Sequence, residues 1–154
     1  MTDRMTDPTP DFTLHPDLLR DSLPVGSFSL CGVRMVNDAT YPWFLLIPRQ
    51  AGLRDVVDLD GEGYVRMWEE SRQLGAALMR AFGGEKLNVA ALGNMTPQLH
   101  IHHVVRFAAD PAWPGPIWGV VPMRPYAPDD RSDTTARVCE ALPGDAFRAH
   151  AGKG

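Results

Sequence analysis

One long amphipathic stripe in a chain that otherwise reads as strands sets the fold class. Between Gly61 and Phe82, the residues Tyr64, Met67, Trp68, Ser71, Leu74, Leu78 and Phe82 recur at steps of three and four, the period of one helical face. Asp60 is placed to cap the start, and Gly83-Gly84 to stop the end. A helix this long must lay its stripe on another layer, and its flanking segments are strand-like. "VGSFSLCGVRMVND" reads as one strand, with Ser29, Cys31, Val33 and Met35 on one face and Phe28, Leu30, Arg34 and Val36 on the other. Both faces carry apolar residues, so both are expected to be covered. "YPWFLLIPR" is a second strand, stopped by Pro48, and the turn chemistry of Asn37 to Pro42 predicts an antiparallel pair. "KLNVAAL" and "QLHIHHVVRF" are two more strands beyond the helix, separated by "GNMTP". The expected architecture is α+β: an antiparallel sheet of about five strands with one long helix and one or two short ones. The short helices fall on "HPDLLRDS", with Pro16 in its first turn, and on "TTARVCEAL".

At 154 residues the chain is one domain in size. Residues 1–11, rich in Pro, Thr and Asp, are expected to be a flexible N-terminus. Residues 12–142 form the single domain, which includes a Trp/Pro-rich arm over 110–128 that cannot be regular helix and whose aromatics need burial. Trp113 and Trp118 are read as packing anchors, and 143–154 as a disordered tail. The formal charge of −4 supplies no basic field to draw a nucleic acid polymer or an anionic membrane. No apolar run approaches the ~18 residues of a membrane span, and the N-terminus lacks the apolar core of a signal peptide. Two cysteines, Cys31 and Cys139, far apart, argue against a disulfide framework and fit a reducing cytoplasm.

The candidate site is "NMTPQLHIHHVVRF", with histidines at 100, 102 and 103. In a strand, Leu99, Ile101, His103, Val105 and Phe107 share one face, and Gln98, His100, His102, Val104 and Arg106 the other. His103 points to the apolar side and reads as a hydrogen-bonded structural residue. The other face admits four readings: a solvated surface, a metal site through His100 and His102, a non-catalytic anion site, or nucleophilic and acid–base chemistry on a phosphate. The last suits imidazole best, near its ordinary pKa. The metal reading lacks an obvious third ligand, and no cysteine backs it.

"QLHIHHVVR" resembles the histidine triad family signature, His-x-His-x-His followed by apolar residues and often a basic one. Gln98 stands at the first histidine, His100 at the second and His102 at the third, with Arg106 at the basic position. "VRMVND" followed by "WFLLIPR" resembles the family's strand pair, and "KLNVAALGN" its strand and glycine turn before the triad. The likeness covers roughly residues 12 to 107, and the Trp/Pro arm looks like a feature of a bacterial subgroup. The resemblance implies a homodimeric hydrolase or transferase acting at a nucleotide α-phosphate, with no metal and no cofactor. In that reading His100 attacks phosphorus to form a transient nucleotidyl-histidine that water resolves. His102 contacts a phosphate oxygen or the leaving group, and Asn94, Thr96 and Arg106 contact phosphate. Asn37 or Asp38 holds the ribose hydroxyls, with a bidentate carboxylate slightly favouring Asp38. The alternatives are turn residues at Asn37, Asp38 and Asn94 and a structural ion pair at Arg106. Gln98 cannot donate a titrating proton, though it preserves a hydrogen-bonding role. The opposing function is a nucleotide-binding or interaction module that kept the pocket without turnover.

Overall fold

The computed structural model describes residues 11–151. Among them the helical stripe lies where its period and caps place it. Helix α2 runs over Gly61–Phe82, Asp60 Oδ1 accepts the Gly63 N–H at 2.7 Å, and Gly83 closes it in the left-handed conformation at φ 63°. Two short partners are helix α1, Pro16–Asp21, and helix α3, Pro128–Ala141. The stripe residues Met67, Leu74 and Leu78 are fully buried against the sheet, in one core with Phe44, Leu46, Ile101 and Val105.

That sheet has six antiparallel strands, against about five expected. They are β1 (Ser22–Ser27), β2 (Cys31–Val36), β3 (Trp43–Pro48), β4 (Lys86–Ala90), β5 (Ile101–Arg106) and β6 (Arg148–Ala149), in the order β4-β5-β3-β2-β1-β6. The segment read as one strand is the end of β1, a turn at Phe28–Leu30 and β2. Glu70, buried on α2, pins that turn by accepting the Leu30 and Cys31 N–H groups at 2.8 and 3.0 Å and the Ser29 hydroxyl at 3.2 Å.

The tail is also different. The expected disorder from residue 143 does not hold through 151, because Phe147 is buried edge-to-face on Phe28 at 5.1 Å and carries the chain into β6. Pairing of β6 with β1 relies on Gly26, where a Cβ would run into the Arg148 carbonyl and the Phe147 ring. The flexibility expected for residues 1–11 lies outside the described residues, apart from Asp11.

All six residues of strand β5 are buried. The Trp/Pro arm folds back over its outer face, where Ile117 packs on Tyr41 and Val104. The sheet is thus covered by α2 on one side and by α1 and the arm on the other. Among the described residues no helix is long and apolar enough to cross a membrane.

Candidate active site

Alternation along the chain into β5 sends His100 and His102 to the arm side of the sheet and His103 to the α2 side. The His100 and His102 rings stand 5.0 Å apart and line a cleft of about 160 Å3. Its walls come from Asp17, Leu18 and Asp21 of α1, Val36 of β2, Trp43 and Leu45 of β3, and Thr96. Two other hollows are larger, about 480 and 390 Å3, but neither includes an imidazole beside a second one.

The protons on these rings follow from their partners. His100 Nδ1 lies 2.6 Å from the Gln98 carbonyl, which only accepts, so Nδ1 carries the hydrogen and Nε2 keeps a free lone pair. Burial holds the His100 pKa below its ordinary value, with neighbouring His15 adding to the effect, so the ring is neutral near pH 7. For His102 the logic inverts. The Trp43 indole N–H, a donor only, reaches His102 Nδ1 at 3.0 Å, so the neutral ring carries its hydrogen on Nε2. Burial first, then repulsion from His100 and His103, pushes His102 down to about 3. His103 sits on the far face, its Nδ1 on the Ile101 carbonyl at 3.1 Å and its Nε2 accepting the Ser71 hydroxyl at 2.7 Å. That arrangement is the one expected of a structural histidine, fully buried and neutral.

Gln98 is not aimed at the cleft as a chemical participant. Its Oε1 accepts the His15 N–H and its Nε2 donates to the Thr13 carbonyl, both at 2.8 Å. A carboxamide grips a stretch of backbone in this two-point way; an imidazole lacks the geometry. Thr96 lines the cleft, with its hydroxyl donated to Asp17 Oδ2 at 2.9 Å, so two side chains of the 94–98 loop tether the 13–17 segment. Just before that loop Gly93, at φ 76°, lies close to the His100 ring: a Cβ there would sit 4.0 Å from His100 Cε1.

Four expected contacts are not brought to the cleft. Asn94 is exposed in the loop. Asn37 and Asp38 clasp the arm: Asn37 Oδ1 accepts the Tyr126 N–H at 3.0 Å, and Asp38 Oδ1 accepts the N–H groups of Thr40 and Arg124 at 3.0 and 3.2 Å. Asp38 is 2% exposed, which leaves no approach for a ribose. Arg106 is likewise buried, in a two-point pair with Asp110 at 2.7 and 3.0 Å, with Nη1 on Asn88 Oδ1 at 2.8 Å and the Trp113 ring over it at 5.7 Å. It is the structural ion pair, not a phosphate ligand.

Sequence reasoning missed Trp43, Asp17, Leu18 and Asp21 as cleft residues. The helix around Pro16 was legible, but its position over the histidines depends on contacts 83 residues away in sequence. It also underrated Trp118, whose ring stands edge-on to His102 at 5.1 Å and to Trp43 at 6.3 Å, closing one side of the imidazole pair.

Known proteins share the fold of this chain. The HIT domain family matches residues 20–109. Among solved structures, the chain is similar to a histidine triad (HIT) protein from Sinorhizobium meliloti (38% identity, TM-score 0.84, covering 86% of this chain and 98% of that one). A histidine triad protein from Marinobacter aquaeolei is 46% identical, with TM-score 0.83 and coverage of 85% and 96%. One from Bradyrhizobium japonicum is 34% identical, with TM-score 0.84 and coverage of 86% and 99%. No curated protein sequence matches the chain.

Proposed function

The chain belongs to the histidine triad family, and on that premise we propose that it hydrolyses a nucleotide phosphoanhydride or phosphoramidate at the α-phosphate through His100. The observation that carries this reading is the His100 ring itself, neutral, with Nδ1–H donated to the Gln98 carbonyl and Nε2 free in a cleft. In the first step the Nε2 lone pair forms a bond to phosphorus while the bond from phosphorus to the leaving oxygen or nitrogen breaks, its electron pair departing with the leaving group. The nucleotidyl-imidazole is then cationic, and the Gln98 carbonyl accepting Nδ1–H stabilises that charge. His102 contributes a fixed donor, its Nε2–H, to a phosphoryl oxygen or the departing atom. Water next attacks phosphorus, the Nε2 bond breaks, the nucleoside monophosphate leaves and the water proton passes to solution.

With Asn37, Asp38, Asn94 and Arg106 placed elsewhere, substrate contacts fall to Thr96 and the main chain around Gly93, and to Asp17 and Asp21 as partners for hydroxyls. Assembly as a homodimer is part of the same proposal, supported by the edge strand β4, which among the described residues pairs only with β5 and leaves Val89 40% exposed. So is a cytoplasmic setting, which suits the free thiols of Cys31 and Cys139.

The test is chromatographic detection of AMP released from adenosine 5′-phosphoramidate, comparing wild type with His100→Ala. Release by wild type alone supports the hydrolase. The second reading, a nucleotide-binding module without turnover, is favoured by one observation: the Gln98 carboxamide is spent on the 13–15 backbone. It would be supported by AMP raising the melting temperature of a protein that releases none.

A further inference from the structure

Arg106 and Arg34 are opposites. Arg106 is desolvated and matched by Asp110, as a buried guanidinium normally is. Arg34, on β2, is half-buried, and among the described residues its guanidinium donates to the Ser22 hydroxyl at 2.7 Å and the Ser22 carbonyl at 2.9 Å. Burial pushes its pKa below the ordinary value, and no carboxylate among the described residues answers its charge. The residue lines a cleft of about 390 Å3 with Arg49, Arg148 and His150 among its other walls and, among the described residues, no Asp or Glu. In a chain of net charge −4, such a lining is a local reversal.

Its shape suits a ligand with a body as well as a charge. Arg49 is held by the carbonyls of Phe28, Ser29 and Leu30, so it is fixed in the wall. Arg148 is exposed at the rim, and its guanidinium has no acceptor among the described residues. The floor is Gly32 and Ile47, with Phe12, Leu14 and Pro24 as apolar sides. Gly32 keeps that floor open, since a Cβ there would meet nothing nearer than Arg49 Cδ at 3.8 Å. The volume falls in the ~300–1,000 Å3 range of small-molecule sites. A row of residues, Pro24, Arg34, Leu45 and His102, crosses the sheet, so this cleft opens on the same face as the histidines. A ridge of Leu14, Leu18, Leu45 and Ile47 divides the two, which have no lining residue in common.

We propose that this cleft binds a small anion with an apolar body, its phosphate or carboxylate taken by Arg34 and Arg148 and its body seated on Gly32 and Ile47. The proposal stands apart from the hydrolase reading, because it uses none of the residues around His100.

Isothermal titration calorimetry of the intact protein with phenyl phosphate and with benzoate tests it, with benzylamine as the cationic control. One site per chain is expected for at least one anion, and the tighter of the two identifies the headgroup. Affinity should be unchanged in His100→Ala and at least tenfold weaker in Gly32→Val, which fills the floor, and in Arg148→Glu, which reverses the rim charge. If Gly32→Val does not fold, Arg148→Glu decides, since that side chain is exposed. The proposal is overturned if neither anion binds at millimolar concentration or if benzylamine binds as tightly. It is equally overturned if binding survives Arg148→Glu or is abolished by His100→Ala, which would assign it to the histidine cleft.

Discussion

His100 and His102 are two residues apart on one face, yet each holds its hydrogen on the opposite ring nitrogen. A carbonyl beside His100 Nδ1 makes Nε2 a lone-pair donor, and an indole beside His102 Nδ1 makes Nε2 a hydrogen-bond donor. In the proposed reaction the division of labour between the two rings therefore depends on Trp43. Trp43→Phe keeps the aromatic bulk and removes the N–H, so His102 loses its tautomeric preference. The expected result is a fall in kcat of ~10–100-fold, the usual scale for losing an orienting partner, with KM little changed. Steady-state kinetics on the phosphoramidate check this, and a change confined to KM would reject the orienting role. Arg106 permits a second prediction. Asp110→Ala strands a guanidinium that is 1% exposed, which should cost about 3–5 kcal/mol and be read as a lowered urea midpoint. That His100 and His102 share a face was legible because alternation is local. For Arg106 the sequence offered the ion pair only as an alternative to a phosphate contact, because its partner arrives through a turn that no pattern in "RFAADPAW" specifies.

At the level of elements, the 13–17 segment is held over the cleft by side chains of another loop. Gln98 spans two backbone groups of it, and Thr96 takes Asp17. Restoring a histidine by Gln98→His is therefore not a gain: it removes one or both backbone contacts and should loosen the segment. Hydrogen exchange should show amides of Leu14 to Leu18 exchanging roughly tenfold faster, about 1.4 kcal/mol of local stability, while those of β5 stay protected. Unchanged exchange would mean that apolar packing of Leu14 and Leu18 alone holds the segment. The contrast with α2 shows what a sequence makes visible. Its stripe, its Asp60 cap and its Gly83 stop all lie within the element, so its ends were readable to the residue. The β1–β2 turn depends on Glu70, some 40 residues away, and β6 on one buried phenylalanine, so each required the tertiary structure.

For the molecule as a whole, burying neutral histidines ties stability to pH. His102 is pushed down to about 3 and His103 to about 4, both chiefly by burial, against an ordinary value of 6.5. Below pH 6.5 the unfolded chain takes up protons on these rings that the folded chain refuses, so the unfolded state binds more protons and stability falls as pH falls. The contribution is whole above 6.5 and is lost progressively toward the folded values. At pH 4 it amounts to a loss on the order of 3 kcal/mol for each ring, at 1.36 kcal/mol per unit. The paired carboxylates contribute in the same direction but later, because Asp110 is held below its ordinary 3.8 by Arg106 and protonates only in stronger acid. The decline between pH 6.5 and 4.5 therefore belongs to the histidines. Urea midpoints measured across that interval should drop steadily in wild type. In His103→Gln the protein should be weaker at pH 7, having lost its fit to Ser71, but the slope should be shallower, since one of the three proton-refusing rings, with His100 and His102, is gone. A slope identical to wild type would place the acid sensitivity elsewhere.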